Sequence, residues 1–455
     1  MQSAIKGRKL LVCLLVLAAT LAVAVFVAAC APKANPGNPT PEATSPTTVP
    51  EADKFGVIDA DSWASQYPNQ YKTYEQNSQN SESGKADYLA EYPETKVLGL
   101  GYGYANYYTE PRGHTYSLDT IENNGRVSAK STVGCIACKS SQFNAIVDQA
   151  GDSFNWKAPF WDTVLQLDEG ISCANCHENS DPSQLKITRQ QWIEALGSDA
   201  SSHSLSGEVC GQCHCDYSMS PTTGEPTSPY NGVSTMTPDQ ALKFYDDNNY
   251  ADWTYASTGA KMISVRHSEY EYNYGGTGNH MTQLGYDCAD CHMPTEVDST
   301  GEAYTSHYWQ SPLENATLIE NDCSSCHADL VSEVKATQKE IDGRTHKIGE
   351  RAADFVHNFE AAIQNGAITD EQKTRLQTIQ RDASFYWNSA GAENSEGAHN
   401  SALYTEVLDK AEALLNEGDV ILGKTSTVEG FEAWKDAQGD IFHSAITEKN
   451  LPPSN

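Results

Sequence analysis

Apolar residues recur at helical spacing over the last third of the 455-residue chain. Between Leu330 and Ile363 they return at intervals of three, four or seven residues, which predicts a long amphipathic helix. Thr369, followed by two acidic residues, has the pattern of a helix start, and the segment 403–415 predicts one more helix. We therefore expect a helical part over residues 328–455.

The region before it, residues 55–327, has a different pattern. Its periodic pieces are short, many Gly, Pro, Asn and Ser residues interrupt them, and alternating β-branched runs are few. This pattern predicts short helices and long loops around something other than a core of side chains. We treat 55–455 as one folded domain made of these two parts.

The N-terminus has the pattern of an export signal. Three basic residues precede an apolar run from Leu10 to Ala29, and small residues lead directly to Cys30. This ending resembles the bacterial lipoprotein cleavage box, in which Cys30 would be lipidated. The alternative is an uncleaved transmembrane helix, because the run is long enough to span a bilayer. Both hypotheses place the protein outside the cytoplasm, at the cell surface or in the periplasm, and anchored to the membrane.

We assign residues 1–30 to this anchor. Residues 31–54 are rich in Pro, Thr and Ala without apolar periodicity, so they predict a disordered tether. Folded structure is expected to begin near Phe55.

The charge balance excludes one class of function. Thirty Lys and Arg residues stand against 61 Asp and Glu residues, for a formal net charge of −31, and no basic run follows the first ten residues. Phosphate binding needs clustered Lys and Arg, so a nucleic-acid partner is excluded. The chain also has 13 Cys and 13 His residues. A secreted disulfide scaffold would be shorter, so the two residue types are best considered together.

Ten cysteines form five Cys-x-x-Cys pairs, and in four pairs His follows directly. The ten are Cys135, Cys138, Cys173, Cys176, Cys210, Cys213, Cys288, Cys291, Cys323 and Cys326. Cys-x-x-Cys-His is the attachment signature of haem c, in which two thiols bond the porphyrin and the histidine reaches the iron. Zinc also uses Cys pairs, but it does not require His at the next position. We therefore predict covalent haems that fill the interior. Of the other cysteines, Cys215 is expected to be a small buried apolar residue.

The first pair differs, because Cys138 is followed by Lys139. A lysine can bind iron only as the neutral amine, since an ammonium group has no lone pair. Taken alone, the motif is equally compatible with a disulfide or with a haem whose ligand comes from elsewhere in the chain.

Five such motifs with the lysine variant first resemble the ammonia-forming cytochrome c nitrite reductases, the pentahaem cytochrome c552 family. The shared elements are Arg112-Gly113-His114, Cys210 to His214 followed by Tyr217, Arg266 to Tyr270, Cys291 to Pro294, and Glu393 to Ser395 before His399. The resemblance implies a mainly α multihaem cytochrome c fold with five haem c groups. It also implies six-electron reduction of nitrite to ammonium at the lysine-ligated haem, while four bis-histidine haems relay electrons.

The resemblance also implies the axial ligands. Lys139 serves the first haem, and the motif histidines His177, His214, His292 and His327 serve the others. The opposite ligands of these four irons are implied to be His114, His280, His307 and His399. The sequence leaves open which opposite ligand belongs to which haem. His203, His346, His357 and His443 match no motif, so we expect ordinary surface or helix histidines there.

Above the open iron, the family pattern places Arg126, His267 and Tyr217. Arg126 would hold the anion, and His267 and Tyr217 would donate protons. Taken alone, Arg126 is better explained by a surface ion pair, and His267 and Tyr217 are better explained as core residues. Their common register with the haem motifs favours the site.

The pattern departs from the family at the calcium site beside the haem. Asp216 retains the family's acid, but Ser264 and Arg266 replace the lysine and glutamine that supply further calcium ligands in most members. We predict a calcium-independent branch, in which Arg266 paired with Asp216 supplies the positive charge.

The resemblance implies nitrite as substrate, slower turnover of hydroxylamine or sulfite, a membrane quinol-oxidising multihaem cytochrome as electron donor, and a homodimer through the C-terminal helices. The alternative is an electron-transfer cytochrome without a substrate of its own. Lys139 separates the two hypotheses, because a conduit would have six-coordinate iron at every site. Oxidation of hydroxylamine is disfavoured, because related oxidising enzymes carry further haem motifs.

Overall fold

The computed structural model describes residues 44–79, 86–110, 113–122, 124–201 and 204–424. The predicted export signal and Cys30 lie outside these residues, as do Arg112, His203, His443 and the segment 425–455. Within the described part, no helix combines the length and the apolar character that crossing a bilayer requires.

Three long helices form the C-terminal part, and they confirm the prediction from apolar spacing. They are Leu330–Gln364, Asp370–Gly391 and Ser401–Leu422. We call the first of them the long helix. Thr369 caps the second helix by accepting a hydrogen bond from the Gln372 backbone N–H, and the third helix ends at Gly423, whose φ of 64° is left-handed.

These three helices pack on one another around a common apolar cluster. Phe355, Phe359, Leu376 and Leu408 are among its fully buried side chains. Tyr92, Val97 and Met262 join the same cluster from the haem-binding part. The helices therefore form a rigid support for the segments that carry the site.

The haem-binding part consists of short helices and five two-stranded antiparallel hairpins within the described residues. Its α-helices are Pro68–Glu75, Tyr88–Glu91, Thr95–Leu98, Ser117–Glu122, Ser141–Ala150, Phe160–Val164, Cys173–Cys176, Gln190–Leu196, Leu205–Gly211, Pro238–Asp247, Glu269–Tyr274, His280–Gln283, Cys288–His292 and Ala316–Asn321. Its hairpins pair Ala86–Asp87 with Thr109–Glu110, His177–Glu178 with Asp181–Leu185, Ser218–Met219 with Pro226–Thr227, Trp253–Thr254 with Lys261–Met262, and Thr295–Val297 with Ala303–Thr305. The predicted class, mainly α with short helices and long loops, is confirmed.

All five cysteine pairs lie in short helical turns. The second and fourth pairs are the helices Cys173–Cys176 and Cys288–His292, and the third begins in the helix Leu205–Gly211. The first and fifth begin in the 3₁₀ turns Val133–Ile136 and Cys323–Ser325. Residues three and four apart share one face of a helical turn, so both thiols and the following ligand point the same way.

The predicted start of the folded domain near Phe55 is wrong by about ten residues. Ser45 donates to the Asp181 carboxylate at 3.0 Å, and the Thr47 backbone N–H donates to Gln66 Oε1 at 2.9 Å. Asp53 accepts a hydrogen bond from Gln142 at 2.8 Å. Polar side chains far along the chain thus hold residues 44–54 against the domain, and composition alone did not reveal these partners.

Candidate active site

The turn that carries Lys139 is held by its own backbone. The Lys139 N–H donates to the Ile136 carbonyl at 2.8 Å, and the Lys139 carbonyl accepts from the Ser117 hydroxyl at 2.7 Å. Ile136 and Val133 are completely buried. Among the described residues, no hydrogen bond or ion pair engages Lys139 Nζ. The backbone is therefore fixed while the amine stays available as a ligand.

Three cations converge on the first cysteine pair. Burial raises the pKa of the Cys135 thiol, whereas Arg126, Arg266 and Lys139 all lie close enough to pull that pKa down. These residues are up to 140 positions apart in sequence. The fold thus brings predicted anion-binding charge to the motif that the sequence singled out.

Arg126 is held on two sides. Its backbone N–H and its Nε both donate to Asn124 Oδ1, at 2.8 and 3.1 Å. Its guanidinium carbon lies over the ring of Tyr104, 4.3 Å from the centroid, and 5.3 Å from the centroid of Tyr108. Asn124 and the two tyrosines were not identified from the sequence.

His267 lies beside a buried carboxylate. Its Nδ1 is 3.7 Å from Glu269 Oε2, and Nδ1 of His214 is 3.7 Å from Glu269 Oε1. Burial raises the pKa of Glu269, but the two histidines outweigh that effect and hold it well below the usual range. Asn394 donates a hydrogen bond to the same carboxylate. Glu269 is therefore a buried anion close to both imidazoles, and its carboxylate forms one cluster with His214 and His267.

Tyr217 lies in the same region. The guanidinium carbon of Arg266 is 5.1 Å from its ring centroid. Burial raises the pKa of the Tyr217 phenol well above its usual value, and Cys138 and Tyr104 act in the same direction. The phenol therefore keeps its proton and can act as a hydrogen-bond donor.

The predicted ion pair between Arg266 and Asp216 is not formed. The guanidinium of Arg266 pairs with Asp252, and both side chains are only 5% exposed. Asp216 instead accepts from the Arg266 backbone N–H at 3.1 Å and from the Tyr245 hydroxyl at 2.8 Å. The Arg266 side chain extends past Asp216 toward the hairpin that begins at Trp253, a neighbour that sequence spacing does not reveal.

The Arg266 guanidinium also binds backbone carbonyls. Nη1 donates to the carbonyls of Tyr217 at 2.8 Å and Ser264 at 2.9 Å, and Nη2 donates to the Tyr102 hydroxyl at 3.1 Å. The family resemblance implies that the Ser264 carbonyl stands where most members bind calcium. A protein cation therefore occupies these oxygens.

A buried carboxyl lies behind this loop. Glu271, 1% exposed, accepts hydrogen bonds from the Asp216 backbone N–H and from the Tyr230 hydroxyl, which lies 2.5 Å away. Burial raises its pKa to about 8. The folded state therefore holds a proton that the unfolded chain releases at its ordinary pKa of 4.5.

We expect Glu271 to make the free energy of unfolding fall as pH rises. Between about pH 4.5 and pH 8 the folded state binds more protons at Glu271 than the unfolded state, so this contribution is complete at low pH and is lost on approaching pH 8. Glu271→Gln should flatten the profile, because the amide is neutral at every pH. Thermal unfolding at pH 5, 6, 7 and 8 measures both proteins. Parallel profiles would refute the assignment.

Three pairs of predicted haem ligands face each other at one separation. The ring centroids are 6.0 Å apart for His114 and His214, 6.1 Å for His177 and His307, and 6.2 Å for His292 and His399. Two imidazoles on opposite sides of one iron, with Fe–N bonds of about 2 Å, have ring centres about 6 Å apart. The pairs therefore fit bis-histidine haem.

The second ring nitrogens support the same fit. Nδ1 of His292 contacts the Gln310 carbonyl at 3.1 Å, and Nδ1 of His307 contacts the Thr305 carbonyl at 3.0 Å. Nδ1 of His399 contacts the Glu393 carboxylate. With Nδ1 engaged by an acceptor, Nε2 is the nitrogen available to a metal. This explains the role of Glu393 in the motif before His399.

Among the described residues none of the ten motif cysteines forms a disulfide, so each pair is available to attach haem. The profile of the cytochrome c552 family matches residues 59–450. The chain belongs to the cytochrome c552 family.

Among its relatives in this family, cytochrome c nitrite reductase subunit NrfA of Nitratidesulfovibrio vulgaris is 27% identical over 434 residues, which cover 83% of this chain and 80% of the relative. Cytochrome c-552 of Parabacteroides distasonis is 28% identical over 362 residues, or 74% of this chain and 71% of that protein. The resemblance inferred from the motifs is thereby confirmed at the level of the family.

A solved structure extends the likeness to the fold. The catalytic subunit of cytochrome c nitrite reductase from Desulfovibrio desulfuricans superimposes on this cytochrome c552 family member with a TM-score of 0.71 at 23% identity. The match covers 87% of this chain and 91% of the other, which is described with two calcium sites. The multihaem cytochrome fold is thereby confirmed.

Proposed function

We propose that this cytochrome c552 family member reduces nitrite to ammonium. One observation carries the proposal: Lys139, the single departure from Cys-x-x-Cys-His, lies where Arg126 and Arg266 also act on Cys135. A conduit for electrons needs no pair of arginines beside one haem motif. The 27% sequence identity with a cytochrome c nitrite reductase subunit, over 83% of this chain, supports the same function.

The five cysteine pairs would carry five haem c groups, with Lys139 as the ligand of the first iron. The facing rings support three ligand pairs: His114 with His214, His177 with His307, and His292 with His399. His280 and His327 remain as the fourth pair. The structure thus suggests the assignment that the sequence left open.

The reaction takes nitrite, six electrons and eight protons to ammonium and two waters. The haem beside Lys139 would supply the electrons and the open coordination position. Arg126 would bind the nitrite oxygens and stabilise their negative charge. His267, beside Glu269, would deliver protons, and the phenol of Tyr217 would donate a hydrogen bond to the oxygen that leaves as water.

An ammonium assay tests the function. Purified holoprotein receives nitrite and a reduced viologen, and ammonium is measured against electrons consumed. We expect six electrons per ammonium and a high-spin haem signal in the electron paramagnetic resonance spectrum. If the holoprotein forms no ammonium and its spectrum has no high-spin signal, the protein is an electron-transfer cytochrome.

The enzyme is expected to work without calcium. The guanidinium of Arg266 already donates to the Tyr217 and Ser264 carbonyls, so a second cation there would be repelled. Treatment with a calcium chelator should leave ammonium production unchanged. One tightly held calcium per subunit, found by elemental analysis, would contradict the expectation.

The proposal extends to the location of the enzyme, its electron donor and its oligomeric state. We propose an extracytoplasmic protein anchored as a lipoprotein through Cys30, a membrane quinol-oxidising multihaem cytochrome as its donor, and a homodimer through the C-terminal helices. The apolar run before Cys30 supports the anchor. Membrane fractionation of the wild type and of Cys30→Ser tests it, because only the wild type should remain with the membrane.

A further inference from the structure

We propose that Tyr104 is a positioning residue that fixes the guanidinium of Arg126 for nitrite, through the face of its ring. This proposal rests on the function proposed above. It starts from the contact between the Arg126 guanidinium and the Tyr104 ring, 4.3 Å from the guanidinium carbon to the ring centroid. At that distance the negative face of the ring attracts the cation.

Asn124 and the Tyr104 ring contact Arg126 from different sides. Asn124 accepts from Nε and from the backbone N–H, so it holds one edge of the guanidinium group. The Tyr104 ring lies against the guanidinium group 4.3 Å from its central carbon, and the Tyr108 ring lies at 5.3 Å. A ring against the face of a flat cation restricts how that cation can tilt. A fixed plane matters because a guanidinium binds an anion best through two parallel N–H groups.

Neighbouring rings hold Tyr104 in turn. The centroids of Tyr102 and Tyr104 are 5.4 Å apart, and those of Tyr104 and Tyr108 are 4.8 Å apart. At the other end, Tyr102 stacks on Trp253 at 4.8 Å with an interplanar angle of 13°. We call these four rings the aromatic row. The row also lines a pocket, and mutual contact between the rings holds one side of it in place.

The aromatic row joins the two arginines of the site. Arg266 donates a hydrogen bond to the Tyr102 hydroxyl at 3.1 Å, and Arg126 lies over Tyr104. Gly103 lies between the two tyrosines, and a Cβ there would come within 3.2 Å of Arg126 Cβ. The sequence Tyr-Gly-Tyr thus combines two ring platforms with the room that the Arg126 side chain needs.

The test compares Tyr104→Leu with Tyr104→Phe in the holoprotein. Nitrite affinity is measured by titrating the oxidised protein and following its visible spectrum, and kcat and KM are measured with nitrite and with hydroxylamine. We expect Tyr104→Leu to raise Kd and KM for nitrite about tenfold. Tyr104→Phe keeps the ring and should stay within about twofold of the wild type. Hydroxylamine carries no negative charge, so its KM should change much less.

Several outcomes overturn the proposal. An unchanged nitrite Kd in Tyr104→Leu removes the positioning role. If Tyr104→Leu and Tyr104→Phe raise the nitrite Kd equally, the hydroxyl and not the ring is responsible. If Tyr104→Leu raises KM equally for nitrite and hydroxylamine, the substitution damages the site in general. If Tyr104→Leu loses haem, Tyr108→Leu tests the more distant ring and should give a smaller rise in nitrite Kd; no rise refutes the proposal. Failure of the proposed function would instead show as a wild type that binds nitrite and forms no ammonium.

Discussion

His267→Asn is expected to lower ammonium production from nitrite about 100-fold or more, with all five haems still attached, because a positioned proton donor contributes a factor of about 10² to 10⁴. The structure supports this expectation, since Nδ1 of His267 lies 3.7 Å from the buried Glu269 carboxylate, beside the Lys139 turn where the reaction is proposed to take place. Asn keeps a polar side chain of similar size but cannot deliver a proton. Turnover with nitrite and haem content are the two measurements.

The matched control is His357→Asn on the long helix, which changes the same residue type away from the site. We expect it to keep wild-type turnover. If His267→Asn also kept wild-type turnover, His267 would have no part in proton delivery. A loss of haem in His267→Asn would make its lower turnover a folding effect, and the haem-to-protein absorbance ratio distinguishes that case.

Arg266→Met is expected to destabilise the holoprotein by about 3 to 5 kcal/mol, because it leaves the Asp252 carboxylate buried without its counter-charge. Asp252 is 5% exposed, so water cannot replace the guanidinium. The Tyr217 and Ser264 carbonyls would lose their donor as well. Thermal unfolding followed by circular dichroism measures the loss.

The double variant Arg266→Met with Asp252→Asn separates charge from packing. The wild-type carboxylate accepts from the Tyr250 hydroxyl at 2.8 Å through Oδ1 and from the Ser264 backbone N–H at 2.9 Å through Oδ2. The single amide oxygen introduced by Asp252→Asn can keep the bond from Ser264, and the Tyr250 hydroxyl can reverse its role and accept from the amide NH2. Removing both charges should therefore recover part of the stability lost in Arg266→Met. Equal stability of the single and double variants would show that the ion pair contributes nothing. Added calcium that restored Arg266→Met alone would support the role of Arg266 as a substitute cation.

The helical part shows how much of the fold was predictable. The intervals between Leu330 and Ile363 correspond to one face of a helix, and the structure has one helix over Leu330–Gln364 with Ile341, Phe355 and Phe359 buried. Helix position follows from local spacing, because one turn fixes which residues share a face. The start of the domain was misplaced for the opposite reason. Residues 44–54 have the composition of a linker, and their order comes from polar partners more than ten positions away.

In the candidate site, motifs identified individual residues, whereas their contacts had to come from the structure. Lys139, His267 and Tyr217 came from motifs, but the partner of Arg266 was predicted to be Asp216 and is Asp252. Asp216 and Asp252 both lie near Arg266, and the direction of the Arg266 side chain decides which of them pairs with its guanidinium. The Tyr104 contact with Arg126 was missed, although the run Gly-Tyr-Gly-Tyr was visible in the sequence. A cluster of aromatic residues does not by itself reveal which cation lies over it.

The sequence by itself determined the chemistry of attachment. Two thiols and the next residue fall within one helical turn, so Cys-x-x-Cys followed by His, or by Lys139, predicts a haem and one of its ligands from local sequence. Only the tertiary structure decided which residues meet across that haem site. His177 faces His307 and His292 faces His399, more than 100 positions apart. Contacts at such separations depend on the packing of whole segments, and the spacing along the chain carries no record of them.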